Sequence, residues 1–399
     1  MKSAPLNFVI IGNGVAGVTA ALELARRKAG EIDLFTAEPY HYYYRPRLPA
    51  FIAGEISEKE VFAYPPSWYD DAGVKVHLNT PIVRLFPERK VIVTADGKEY
   101  SFRKLLLATG SRPLLPPIEG SELKGVFTLR TLEDALAIKN YSERCEKAVI
   151  LGGGLLGLEV ARALKVRGLS VTVLERGPHL LPRQLDKEGA AVFHKLIENM
   201  GIDVLSSAEA RAILGNGEVK GVVLRDGREL PAQLIVIAAG VRCNAELAKE
   251  AGLRVEGGIV VDEKMATSAP DIYAAGDVAS FRGQTWGIIP VALAQARVAA
   301  ASMAGEEAFY KEVVPSNSLK ITGIDLTSAG EVNLPEDQAI HLRLSKPEAG
   351  LYRKLVLNNG KLVGGISIGD KEWGATMEKL VKDKTPITVE EAKKLLGGG

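Results

Sequence analysis

Cysteine is almost missing from this sequence: of 399 residues only Cys145 and Cys243 are cysteines, far apart and outside any C-x-x-C or metal-ligand spacing. No cysteine cluster near the carboxy terminus is available to ligate an iron–sulfur centre or sirohaem. A reducing cytoplasm suits such a chain. An excess of charge of one sign is also missing, with 50 Lys+Arg against 49 Asp+Glu and no long basic run, which argues against a dedicated nucleic-acid surface. No uninterrupted apolar stretch reaches the roughly 18–20 residues of a membrane-spanning helix, so a soluble protein without a membrane partner is expected. Met1-Lys2 and the apolar residues 6–21 superficially resemble a signal peptide, but the glycine spacing within that run explains it better. The five histidines (41, 77, 179, 194 and 341) form no metal or triad arrangement, so no metal is expected.

What is present is a turn that occurs twice. Residues 8–11 are an apolar run that feeds Gly12-Asn13-Gly14-Val15-Ala16-Gly17, and residues 148–151 feed Gly152-Gly153-Gly154-Leu155-Leu156-Gly157. Each is strand, G-x-G-x-x-G, then helix, the arrangement that aims backbone N–H groups and the positive helix end at a pyrophosphate. Each copy is answered downstream by an apolar strand with a small-residue end: Ala108-Thr109-Gly110 for the first and Ala238-Ala239-Gly240 for the second.

The length allows roughly two to three domains. Residues 32–35 read as the strand after the first helix, with Glu38 just beyond, where a carboxylate can accept from ribose hydroxyls or simply be an exposed loop acid. Residues 90–93 and 99–102 make a hairpin across Asp96-Gly97. The Pro-rich connector 112–117 marks a boundary, after which strand, turn and helix recur and Glu175 ends the second strand. After Gly240 the chain returns to the first domain, because residues 271–278 form another buried strand that ends at Gly276-Asp277. Short alternating segments at 339–343, 351–357 and 361–368, the last two joined by Asn358-Asn359-Gly360, form a carboxy-terminal α+β module. The Lys/Glu-rich residues 378–394 read as a solvated helix face. The expected fold is α/β with two Rossmann-like dinucleotide-binding domains and a smaller α+β domain: 1–112 and 241–309 for FAD, 113–240 for NAD, and 310–399 at the carboxy terminus.

Residues 7–330 resemble the two-dinucleotide-fold flavoproteins of the pyridine nucleotide-disulfide oxidoreductase type, through both glycine turns, Ala108-Thr109-Gly110 and Tyr273-Ala274-Ala275-Gly276-Asp277. The resemblance implies FAD at the first turn, with Asp277 bonding its ribitol, and NADH at the second, with Glu159 positioning the nicotinamide. Members that reduce disulfides carry a redox cysteine in the region of residues 42–48, whereas here it reads Tyr-Tyr-Tyr-Arg-Pro-Arg-Leu. That form, with residues 286–295, resembles NADH:rubredoxin reductases and the amino-terminal part of the nitrite reductase large subunit. Pro49-Ala50 departs from the lysine common in oxygenase ferredoxin reductases.

Arg45 is the candidate cation near the flavin or its phosphates, the alternative being a structural ion pair. Tyr40, Tyr42, Tyr43 and Tyr44 read as packing around the cofactor loop. Pro290 opens a helix whose positive end can face the flavin. Glu175 accepts the adenosine ribose hydroxyls and disfavours a 2′-phosphate, so NADH is expected over NADPH, with Arg176 softening the choice. The expected activity passes electrons from NADH through FAD to a small iron–sulfur carrier, rubredoxin or ferredoxin. Two alternatives are an NADH reductase module for nitrite reduction and a redox-dependent binding flavoprotein resembling apoptosis-inducing factor. The oligomeric state is open.

Overall fold

The computed structural model describes residues 6–313, 316–321 and 323–397; Met1-Lys2, the basic start of the signal-like run, lies outside them. The contacts divide the chain into two units, one of residues 1–47, 57–112 and 241–313, the other of 48–56, 113–240 and 314–399.

The first unit is built on a seven-stranded mixed sheet. Val74–His77, Ile32–Phe35, Leu6–Ile11 and the second half of Glu99–Leu107 run parallel in that order. Ile272–Ala274 adds in parallel to residues 105–107, so the returning chain completes the sheet. Leu6–Ile11 has no polar alternation because a central parallel strand is buried on both faces, and Val9 and Ile10 are fully buried. Val91–Thr94 and Ile82–Phe86 extend the sheet antiparallel from the first half of Glu99–Leu107. The expected hairpin is formed, with Gly97 at φ +84°. Helices Val15–Arg26 and Ile289–Met303 pack on each other.

The second unit contains a five-stranded parallel sheet in the order Ile202–Ser206, Ser170–Glu175, Lys147–Leu151, Leu234–Ile237, Val126–Phe127. An antiparallel sheet of Ala210–Asn216, Glu218–Leu224 and Glu229–Pro231 follows. The short helix Leu48–Ala53 packs against helices Leu132–Ser142 and Leu155–Val166 of this unit, with Lys139 Nζ 4.2 Å from the Phe51 ring centre. A second five-stranded sheet, antiparallel, runs Ser316–Ile321, Ile324–Gly330, Lys361–Ile368, Leu351–Asn358, Ile340–Lys346. The turn between Leu351–Asn358 and Lys361–Ile368 has Asn359 and Gly360 both at positive φ, 50° and 70°, the pairing a two-residue hairpin turn requires. The carboxy-terminal Lys/Glu stretch forms helices Lys371–Lys382 and Val389–Gly397, amphipathic rather than wholly solvated: Trp373, Met377, Val381, Ala392 and Leu396 are buried. No helix among the described residues is long and apolar enough to cross a membrane.

Candidate functional site

The first glycine turn is shaped by what cannot fit in it. Gly12 sits at φ +116°, and a Cβ there would lie 2.1 Å from the Ala108 carbonyl oxygen. At Gly17 a Cβ would lie 1.8 Å from the Gly12 carbonyl oxygen. The turn therefore folds tightly against the end of strand Glu99–Leu107, which explains why Ala108 matters as well as the glycines. Gly14 caps helix Val15–Arg26 without offering a side-chain acceptor, and no acid occupies the first turn. Its N–H groups and the helix dipole are thus left to an anion.

Arg45 supplies the cation. Its Nη1 lies 3.2 Å from where a Gly14 Cβ would be, so the guanidinium stands directly over the turn. Nη2 donates to Glu38 Oε1 at 2.9 Å, and the Tyr43 hydroxyl donates to Glu38 Oε2. The structure thus brings Glu38 and Arg45 together as an ion pair at the turn, a pairing that sequence reasoning weighed for Arg45 alone.

Gly276 and Asp277 arrive at the same place from the far end of the unit. Gly276, at φ +82°, packs so closely on Ala16 that a Cβ would come within 2.9 Å of the Ala16 Cβ. Its N–H donates to Gln295 Oε1 at 2.9 Å. Gln295 is 1% exposed and lies on helix Ile289–Met303, where Pro290 occupies the first turn as expected. That helix likewise begins without a side-chain cap or a first-turn acid. Ser111 Oγ donates to Asp277 Oδ2 at 2.8 Å, and Cys243 Sγ donates to the Asp277 carbonyl at 3.0 Å. Thr109 and Asn244 clamp each other, Thr109 Oγ1 donating to the Asn244 carbonyl at 2.7 Å and Asn244 Nδ2 to the Thr109 carbonyl at 2.9 Å. Gly110 accepts the Asn244 N–H at 2.9 Å. Ser111 and Asn244 were not singled out from the sequence; Cys243 stood out only as one of two dispersed cysteines and Gln295 only as the end of the 286–295 segment, neither with a role at this site.

The second turn repeats the first. Gly152 is at φ +124° with a Cβ position 2.4 Å from the Ala238 carbonyl oxygen, and a Gly157 Cβ would lie 2.0 Å from the Gly152 carbonyl oxygen. Gly154 caps helix Leu155–Val166 without a side-chain bond, and the space at its Cβ position is open to 4 Å. Leu156 is 40% exposed. Glu175 ends its strand as expected, but its carboxylate also ties the turn together: Oε2 accepts the Gly153 N–H at 2.8 Å and Oε1 the Gly177 N–H at 2.6 Å. Glu159 is half-buried on the helix. One turn on, Arg162 makes a two-point ion pair with Glu55, with Nη1 to Oε2 at 2.7 Å. Gly240, at φ +109°, has open space at its Cβ position.

Burial raises the pKa of both thiols, Cys145 and Cys243, which keeps them protonated and poorly nucleophilic. A cavity of about 720 Å³ elsewhere, lined by Ile340, Leu357, Ile387 and Glu391 among others, contains none of these residues.

Residues 6–306 match the pyridine nucleotide-disulphide oxidoreductase family, and residues 315–385 match the rubredoxin NAD+ reductase C-terminal domain. The chain belongs to the pyridine nucleotide-disulphide oxidoreductase family. It is 33% identical over 384 residues to the nitrite reductase [NAD(P)H] of Bacillus subtilis, covering 96% of this chain and 48% of that protein. It is 40% identical over 307 residues to the rubredoxin-NAD(+) reductase of Ectopseudomonas oleovorans, covering 75% and 80%. Among solved structures, the covalent putidaredoxin reductase–putidaredoxin complex superposes with a TM-score of 0.90 at 27% identity, covering 99% of this chain and 96% of that one. The chain spans about half the length of the first two curated relatives, 48% and 49%. Family membership brings FAD and NAD(H) as cofactors. The two uncapped, glycine-lined helix ends, one with a guanidinium over it, fit a pyrophosphate each.

Proposed function

We propose that this chain is a flavoprotein reductase that takes electrons from NADH and delivers them to a small iron–sulfur carrier such as rubredoxin. In this reading residues 1–112 and 241–309 hold FAD, residues 113–240 hold NADH, and residues 310–399 form the carboxy-terminal domain. FAD, when bound, supplies the conversion of a hydride's electron pair into single electrons. The chain's own residues bind and orient. The N–H groups at Gly14, Val15 and Ala16 meet the FAD pyrophosphate, and Arg45 offsets its charge while Glu38 fixes Arg45. Asp277, held by Ser111 and Cys243, accepts from the ribitol, and the helix that starts at Ile289-Pro290 presents its positive end to the flavin. At the second turn Gly154, Leu155 and Leu156 take the NADH pyrophosphate, Glu175 the adenosine ribose, and Glu159 helps to seat the nicotinamide. No proton transfer is asked of Glu159, because hydride transfer needs no general acid.

The observation that carries the choice of acceptor is the match of residues 315–385 to the rubredoxin reductase carboxy-terminal domain, together with the absence of any cysteine from residues 42–48. A second reading, an NADH reductase module for nitrite reduction, is favoured by the alignment of 96% of the chain to part of a nitrite reductase. It requires sirohaem from elsewhere. The free thiols suit the cytoplasm. Steady-state turnover of NADH with an artificial acceptor tests the enzyme reading. Rapid turnover supports it, and a long-lived flavin–nicotinamide complex without turnover replaces it with a redox-dependent binding flavoprotein.

A further inference from the structure

The run of tyrosines at residues 40–44 is left without a function by the cofactor contacts alone. The loop that carries Glu38 and Arg45 is joined to the first glycine turn through a residue distant in sequence, Tyr69. Its side chain is 2% exposed, wedged between Trp68 and His41 with ring centres 5.1 and 4.8 Å away. The Tyr69 hydroxyl accepts the Tyr42 N–H at 2.9 Å and donates to Asn13 Oδ1 at 3.4 Å. Asn13 is the residue between Gly12 and Gly14, and its Nδ2 donates back to the Tyr40 carbonyl at 3.3 Å. One amide and one phenol therefore stitch the turn to residues 40 and 42, just ahead of Arg45 in the chain.

We propose that Asn13 and Tyr69 form a latch that holds the Arg45 loop over the first glycine turn, making Tyr69 a positioning residue for the dinucleotide pyrophosphate without touching it. The inference rests on the reading that FAD binds at this turn. Three features carry it. The hydroxyl is shared between loop and turn, so removing it cuts the Tyr42 N–H and Asn13 Oδ1 contacts together and leaves only the Asn13 Nδ2–Tyr40 carbonyl bond between turn and loop. Both ends of the Asn13 amide are used, which fixes its orientation. Arg45 follows residues 40–44 directly in the chain and Tyr43 shares its Glu38 partner, so a shift of this loop moves the guanidinium relative to Gly14. Burial pushes the Tyr69 phenol up to about 12, so it stays a donor throughout the working pH range.

The test is the FAD dissociation constant of the flavin-stripped protein, followed by flavin fluorescence, for the wild type, Tyr69→Phe, Arg45→Met and the double variant. Tyr69→Phe keeps the ring and its packing and removes only the hydroxyl. The latch predicts that it weakens FAD about tenfold, the scale of one buried hydrogen bond. Arg45→Met weakens FAD at least as much in the wild type but no more than about twofold further in Tyr69→Phe, because the guanidinium there is already unplaced. A merely structural tyrosine gives additive losses, and additivity overturns the latch. Wild-type affinity in Tyr69→Phe also overturns it. If Arg45→Met alone leaves FAD affinity unchanged, the assignment of FAD to this turn fails instead. Asn13→Ala, which cuts the other end of the latch and leaves the Tyr69 packing intact, must show the same non-additivity with Arg45→Met.

Discussion

Glu175→Ala separates two roles that the structure joins in one carboxylate. Its oxygens take the Gly153 and Gly177 N–H groups at 2.8 and 2.6 Å. Hydrogen bonds to a charged group contribute about 1.5–3 kcal/mol each, but the half-buried site lets water replace the lost acceptor, leaving a net cost of about 1 kcal/mol in turn rigidity. NADH kcat/KM should fall about fivefold on that account. The second role is selection. A carboxylate about 5 Å from a 2′-phosphate repels it by about 3 kcal/mol per unit charge at an effective dielectric constant near 20. Salt and partial exposure reduce this to about 1.5–2 kcal/mol, equivalent to about 10–30-fold in kcat/KM. The NADPH/NADH ratio of kcat/KM should therefore rise about 10–30-fold in Glu175→Ala, measured with one artificial acceptor at fixed salt. A ratio within about threefold of the wild type would refute the placement of the adenosine ribose beside Glu175. Comparable kcat/KM for both nucleotides in the wild type would overturn the preference for NADH, since Arg176 would then dominate.

Flavin should leave the denatured protein intact, and a protein-free supernatant without an FAD spectrum would count against non-covalent FAD. Replacing Cys145 and Cys243 together by serine should keep NADH-dependent turnover, because both thiols are protonated and serine can still donate to the Asp277 carbonyl; abolished turnover in a folded, FAD-loaded variant would reveal a thiol step. In the second unit Asp186 accepts from Lys354 Nζ and the Tyr352 hydroxyl, each at 2.8 Å, with the Lys354 side chain only 2% exposed. Asp186→Asn strands that ammonium and should cost about 3 kcal/mol in thermal or denaturant unfolding at pH 7; a loss below about 1 kcal/mol would contradict it. Burial alone would raise the Asp186 pKa, but Lys354, the Gly189 N–H and Tyr352 outweigh it and hold the carboxyl below its ordinary value. Its stabilisation is thus present above about pH 4 and is lost as pH falls through the depressed folded value. The wild type should consequently lose its advantage over Asp186→Asn on acidification.

The glycine turns were legible in the sequence because their geometry admits no other residue: with a Cβ position 2.1 Å from Ala108 at Gly12 and 2.4 Å from Ala238 at Gly152, the backbone constraint is written in the residue type itself. Strand ends and the Asn359-Gly360 turn were legible for the same local reason. Partners chosen by tertiary packing were not. Nothing local shows that Tyr69 meets Asn13, that Cys243 sits under Asp277, or that Glu175 spends its oxygens on Gly153 and Gly177. Residues 48–56, which follow the Arg45 segment directly, group with the second unit through Phe51, Ile52 and Glu55, a choice that a short apolar helix does not announce. Lys354 looks like a surface lysine in an alternating strand, yet an acid on a distant helix cap draws it inside.

Stopped-flow reoxidation of the NADH-reduced protein tests the central claim most directly. Mixed with rubredoxin, the reduced flavin should be reoxidised much faster than by ferricyanide or oxygen. The second-order rate should fall as salt rises, because basic residues such as Arg47 and the carboxy-terminal lysines would steer an acidic carrier, Arg45 being engaged by Glu38 at the glycine turn. The NADH-to-flavin half-reaction should hardly change with salt. Rubredoxin reduced no faster than the artificial acceptors, or at a rate indifferent to salt, would contradict the carrier assignment and put the nitrite-reduction module ahead.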